Sequence, residues 1–247
     1  MTTHLENQTE ADLLTGSNGR SLESEPVQRA RQRAEVAERR GAEPYDALLW
    51  RVWSRRPDGS DAAFLVGLCG CSKGAGVSTL AANLAIRAAD HGLGPVLLVD
   101  ANLNSPELHK LMRGEVSHGL ADVLAGAATL ESCMRATPVT GLDVVPFGAA
   151  AGSGVRFEAD RIEAMLSQVR EQYALAVFDL PVAGELGPTL PLARILEATL
   201  LVLRSAQVRK QSAEQITRNL SADGISLTGA VLTDQLGGVP HWLDRLI

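Results

Sequence analysis

The sequence has no apolar run approaching the ~20 residues that a membrane-spanning helix requires, which sets a first expectation of a chain without a membrane segment of its own. Cysteine is scarce. Cys69, Cys71 and Cys133 are an odd number in a chain too large to depend on a disulfide framework, and this suits a reducing compartment, the cytoplasm. No second Cys/His pair at ligand spacing accompanies Cys69-x-Cys71, which therefore reads as two small residues flanking Gly70 rather than a metal motif. Basic charge is in deficit: 23 Lys and Arg against 29 Asp and Glu give a formal net charge of -6. That balance argues against broad electrostatic capture of nucleic acid or anionic lipid. The N-terminus, "MTTHLENQTEADLLTGSNGR", also lacks the charged-then-apolar layout of a secretory signal.

What is present is enough apolar material for one full core, 45% of 247 residues. Its placement is uneven. Residues 1–42 are polar, rich in Glu, Arg, Gln and Ser, and show no sustained apolar face, which predicts a disordered tail with "VQRARQRAEVAERR" as a solvated helix inside it. Residues 43–247 read as one α/β domain. In "EPYDALLWRVW", Tyr45, Leu48, Leu49, Val52 and Trp53 recur at helical spacing, predicting an amphipathic helix packed on that domain. After the turn "RRPDGSD" the pattern alternates. Strands are predicted at 63–69, 96–100, 142–146, 174–179, 198–204 and 228–233. Helices are predicted at 78–91, 157–171, 190–196 and 209–222, with short ones across 106–135 and a terminal one near 240–246. The strands "PVLLVD", "ALAVFD" and "ATLLVLR" are continuously apolar rather than alternating, as strands covered on both faces are. The expected fold is a doubly wound, mostly parallel sheet with helices on both faces, and its ligands should sit beyond the C-terminal strand ends.

Three strand ends carry candidate chemistry. The first runs into "GCSKGAGVST", where Gly74, Ala75, Gly76, Val77, Ser78 and Thr79 have the small-residue make-up of a loop whose backbone N–H groups encircle phosphate oxygens at a helix N-terminus. Ser78 stands where a hydroxyl coordinates Mg²⁺, so ATP and Mg²⁺ are the expected ligands. One item is missing. Val77 occupies the position of the lysine that neutralises charge on the β and γ phosphates. Lys73, in the same loop, has two readings: a cation that swings inward as a substitute, or a solvated loop lysine. The second strand ends "LLVDANLNSPELH", placing Asp100 to hold a metal-bound water or accept a proton. The bland alternative is a cap on the next helix, and the length and polarity of "DANLNSP" favour the site. A later strand ends "AVFDLPVAGE", placing Asp179 where an acidic residue holds Mg²⁺ through water. Ser78, Asp100 and Asp179 form the candidate metal set.

These residues resemble the bacterial tyrosine kinases of capsular and exopolysaccharide assembly, within the P-loop ATPases that include the Min and Par proteins. "VLLVDANLNSPELHKLM" is similar to the family's second acidic motif and its following helix, "GLADVLAGAATLESCMRATPVTGLDVVPFGA" to its connecting region, and "YALAVFDLPVA" to its third motif. The resemblance implies a three-layer P-loop NTPase fold, tyrosine kinase or ATPase activity and, as partner, the cytoplasmic segment of a membrane polysaccharide co-polymerase or export protein. It also allows a homo-oligomer. The departures bear on activity. Val77 replaces the lysine, Asn102 stands for a further Asp and Asn104 for an Arg, and Thr233 falls where the family has an adenine-reading Asn. Asp46 and Leu49 replace two arginines of the oligomerisation helix. The family's tyrosine-rich C-terminal tail has no counterpart in "VPHWLDRLI", and the tyrosines of the sequence are Tyr45 and Tyr173. Together they favour a pseudokinase or weak nucleotide binder recruited to the inner face of the membrane by its partner. The alternatives are an active kinase or ATPase using Lys73, and a Min/Par-type positioning ATPase, for which Ser72 stands at the signature lysine position. Trp242, Leu243, Leu246 and Ile247 are expected to pack on the domain or a partner rather than enter a bilayer. His91, His109, His118 and His241 are expected to be solvated.

Overall fold

The computed structural model describes residues 43–111, 118–148, 157–205 and 208–233. The chain divides into two units, Met1–Gly41 and Ala42–Ile247, and all described residues belong to the second. The predicted tail, the helix near 240–246, His241 and the Trp242–Ile247 cluster lie outside the described residues.

A helix, α1, covers 43–53. The remaining elements are β1 (Phe64–Gly70), α2 (Val77–Asp90), β2 (Val96–Asp100), α3 (Leu120–Ala125), α4 (Leu130–Cys133), β3 (Arg135–Ala136), β4 (Leu142–Val145), α5 (Ala159–Gln172), β5 (Leu175–Asp179), α6 (Leu190–Ile195), β6 (Ala198–Arg204), α7 (Lys210–Ala222) and β7 (Leu227–Thr233). Seven strands form one sheet in the order β3-β4-β2-β5-β1-β6-β7. Every pairing is parallel except β3 with β4. The mostly parallel sheet expected from the apolar runs is present. The two-residue β3 is the exception, since a strand of that length has no periodicity to read.

Alternation along each strand divides its side chains between two cores. Phe64, Val66, Leu68, Leu98, Val177 and Val202 face Leu49 and Val52 of α1 and Leu80 and Leu84 of α2. Leu65, Cys69, Leu97, Val99, Phe178 and Leu201 face Leu124 of α3, Ile162 and Leu166 of α5, Leu192 of α6 and Leu220 of α7. Both faces are therefore covered, which is why the strands read as unbroken apolar runs. Among the described residues no helix is long and apolar enough to cross a membrane.

Helix α1 is held by charge as well as by Leu49 and Val52. Asp46 accepts hydrogen bonds from Arg87 of α2, at 2.7 Å from Nε and 3.1 Å from Nη2. It also lies 2.9 Å from His91 Nε2, and the His91 ring meets Trp50 at 5.4 Å between centroids. His91 is thus engaged at the helix junction instead of solvated. Trp50 is 47% exposed beside it. The Arg87 guanidinium holds the Asp46 carboxyl below the ordinary carboxylate range, partly against burial, with His91 adding to the pull. A carboxyl so lowered binds fewer protons in the folded state, so its contribution is full above about pH 4 and is lost as pH falls through the lowered value. Asp46→Asn is expected to cost about 1 kcal/mol of unfolding free energy at pH 7 and progressively less as pH is lowered below about 4, read by urea denaturation across that range.

Candidate functional site

The site begins where β1 ends. Gly74 (φ 74°) and Gly76 (φ 87°) both adopt left-handed backbone conformations, which let the chain double back between strand and helix. The Ala75 N–H donates to the Ser72 carbonyl at 3.3 Å. Gly76 caps α2 with no side-chain hydrogen bond, and the helix's first turn carries no acidic residue. Its leading N–H groups and positive dipole end are therefore left to whatever occupies the space in front. That space is a cavity of about 340 Å³ walled by loop residues 72–79, by Asn102, Asn104 and Glu107 beyond β2, and by Leu180, Val182 and Glu185 beyond β5.

Parallel pairing sets Asp100 of β2 directly beside Asp179 of β5, and both are fully buried. Their surroundings differ. Asp100 accepts three backbone N–H groups, from Asn102 at 3.1 Å, Glu107 at 3.1 Å and Leu108 at 3.0 Å. Its carboxylate ties down the loop after β2. Burial pushes its pKa up to about 6 while these N–H groups pull the other way. Neither Asp179 oxygen has a well-formed hydrogen-bond partner. Burial pushes Asp179 up to about 7, opposed by the Ser78 hydroxyl and reinforced by the charges of Asp100 and Glu107. Ser78 is near enough to act on that carboxyl without an aligned bond. The Ser72 hydroxyl, on the cavity wall, is also buried without a partner.

Val77 opens α2 and is packed partly into the α1–α2 core. One of its methyl groups lies 3.0 Å from where a Cβ on Gly70 would stand. Lys73 is at the rim: its ammonium lies 3.1 Å from Glu185 Oε1, with the lysine side chain 74% exposed and the glutamate 38% exposed. Asn104 Nδ2 donates to the other oxygen, Glu185 Oε2, at 3.1 Å. The structure thus gathers Gly74 to Thr79, Asp100 and Asp179 at one end of the sheet and sets Lys73 against an acid.

Two contacts lay outside the sequence reading. The Thr233 hydroxyl, at the end of β7, donates to the Ala75 carbonyl at 2.8 Å, with the Leu203 carbonyl at 3.3 Å. Arg204, at the end of β6, brings Nη1 to 3.9 Å from the Cβ position of Gly74. Glu185 itself lies in the quoted "LPVAGE", but only the fold reveals that it reaches the loop.

A divalent cation fits one part of this arrangement. Among the described residues no group of three or more His, Cys, Asp and Glu is placed to hold a metal alone. An unpartnered buried carboxylate facing a loop serine is nonetheless the donor set that Mg²⁺ completes with phosphate oxygens and water.

No family model matches the chain. It is similar to the tyrosine-protein kinase ptk of Acinetobacter johnsonii, 25% identical over 171 residues, covering 69% of this chain and 23% of that protein. The tyrosine-protein kinase YwqD of Bacillus subtilis is 28% identical over 160 residues, 64% of this chain and 67% of its own length. The tyrosine-protein kinase wzc of Salmonella typhi is 26% identical over 167 residues, 67% of this chain and 23% of that protein. The chain therefore spans about a quarter of the length of ptk and wzc. Among solved structures, the kinase domain of the Escherichia coli tyrosine kinase ETK superposes with a TM-score of 0.69 at 21% identity, over 81% of this chain and 79% of that one. MinD of Pyrococcus horikoshii, complexed with Mg-ADP, superposes with a TM-score of 0.61 at 22% identity, over 74% and 76%. Homologues of this chain are bacterial tyrosine kinases, and its fold is that of the P-loop NTPases.

The Asp179 environment has a measurable consequence. A carboxyl raised from 3.8 to about 7 holds a proton in the folded state that it releases when unfolded, so the folded state loses stability as pH rises between those values. Asp179→Asn is expected to raise the melting temperature at pH 8 by about 5 °C and to change it far less at pH 5, by calorimetry without nucleotide.

Proposed function

We propose that this chain is a kinase-like protein of exopolysaccharide or capsule biosynthesis or export that retains a nucleotide-phosphate cradle and has lost efficient phosphotransfer. It works by binding the cytoplasmic segment of a membrane co-polymerase or export protein, which recruits it to the inner face of the membrane. The kinship with tyrosine kinases supports the setting. The observation that carries the reading is Val77, packed toward the core at the position from which a lysine would reach the phosphates, while Lys73 is turned to Glu185.

The two halves of such a site have separate tasks. Loop N–H groups and the positive end of α2 bind phosphate oxygens, and they need only small residues and the left-handed turns at Gly74 and Gly76. Ser78 and Asp179 would hold Mg²⁺, with Asp100 behind them fixing the loop through Asn102, Glu107 and Leu108. When bound, that ion supplies charge neutralisation on the phosphates. Transfer needs more, because negative charge grows on the departing oxygen and an aimed ammonium there contributes several powers of ten in rate. Valine contributes none. Asn102 and Asn104 replace an acid and an arginine of the related motif, and Asn104 is spent on Glu185.

The test is turnover. Purified protein with Mg-ATP is expected to show hydrolysis and tyrosine phosphorylation no higher than a buffer blank. Val77→Lys should bind ATP about tenfold or more tighter than the parent. Turnover by the wild type that collapses in both Lys73→Ala and Asp179→Asn would overturn this reading and identify an active enzyme with Lys73 as its substitute cation.

A further inference from the structure

We propose that Glu185 occupies the place of a terminal phosphate and makes the cavity selective for a nucleoside diphosphate over the corresponding triphosphate. The proposal rests on the reading of the loop as a nucleotide-phosphate cradle.

Glu185 ends a short 3-10 turn, Ala183–Glu185, that follows β5, and its carboxylate closes one wall of the cavity. Each of its oxygens is held from a different loop: Oε1 by the Lys73 ammonium at 3.1 Å, Oε2 by the Asn104 amide at 3.1 Å. An ammonium and an amide N–H converging on two oxygens of one anion are the donors that a terminal phosphate would use. The polar groups at the inner end of the cavity are placed differently. The buried Ser72 hydroxyl has no partner and the Asp179 carboxylate has no aligned one, so the inner end is open to a ligand while the outer end already holds an anion.

Charge at this end points the same way. Glu185 lines the cavity, with Asp100 and Asp179 beneath it, and Lys73 lies on the same wall. Arg204 approaches Gly74 but is not part of that wall. With Val77 in place of a lysine, a third phosphate adds negative charge beside carboxylates and must take Lys73 and Asn104 from Glu185 to be held. A diphosphate reaches the loop N–H groups and Ser78 without disturbing that contact. Because Lys73 and Glu185 are exposed, their pairing contributes little to stability, and its effect is on which anion Lys73 can receive.

The experiment is calorimetric titration of the whole chain with Mg-ADP and with the Mg complex of the β,γ-imido analogue of ATP. Wild type is expected to bind ADP about tenfold tighter than the analogue. Glu185→Gln should bring the two within about threefold by improving the analogue and leaving ADP nearly unchanged, while Lys73→Ala should widen the gap. Equal binding of both ligands by wild type, or a gap that survives Glu185→Gln, overturns the selectivity and leaves the cradle standing. No heat from either nucleotide, with a folded protein by circular dichroism, overturns the cradle and the selectivity together.

Discussion

The site depends on the insertion of β5 between β1 and β2. That parallel pairing puts Asp179 opposite Leu68 on one side and opposite Asp100 on the other, so two carboxylates and the phosphate-type loop reach one end of the sheet without any loop having to carry them there. Two acids this close in a dry setting cannot be treated alike. The fold separates them by giving Asp100 three backbone N–H groups and Asp179 none. One carboxylate becomes structural and the other stays available.

The same logic separates cradle from catalyst. Backbone geometry at Gly74 and Gly76 is built by conformation alone and survives the loss of a side chain. Charge stabilisation by a side chain depends on one ammonium in one place, which a single substitution is enough to remove. Val77 lies partly against the α1–α2 core and partly on the cavity wall, where an apolar side chain is accommodated by the fold whatever it does to chemistry. Degradation of a site can therefore proceed residue by residue while the architecture stays whole.

Much of this was legible in the sequence. Continuous apolar strands, a glycine-rich turn and two aspartates at strand ends are local signals, and each stood where the pattern placed it. What was not legible is long-range. The contact between Lys73 and Glu185 joins residues with more than a hundred positions between them, and nothing in "GCSKGAG" announces its partner. Asp46 was readable only as a missing arginine; its bond to Arg87 appears once α1 lies on α2. His91 and the two-residue β3 escaped for the same reason, because pairing across space has no period along the chain.

The bond from Thr233 to the Ala75 carbonyl spans 158 positions and joins the last described strand to the loop that follows the first. On a chain made from its N-terminus, the loop residues emerge long before their tether does. The fastening between β7 and the loop is therefore added only after β7 has docked at the sheet edge, and a nascent chain stopped short of Thr233 presents the glycines without it.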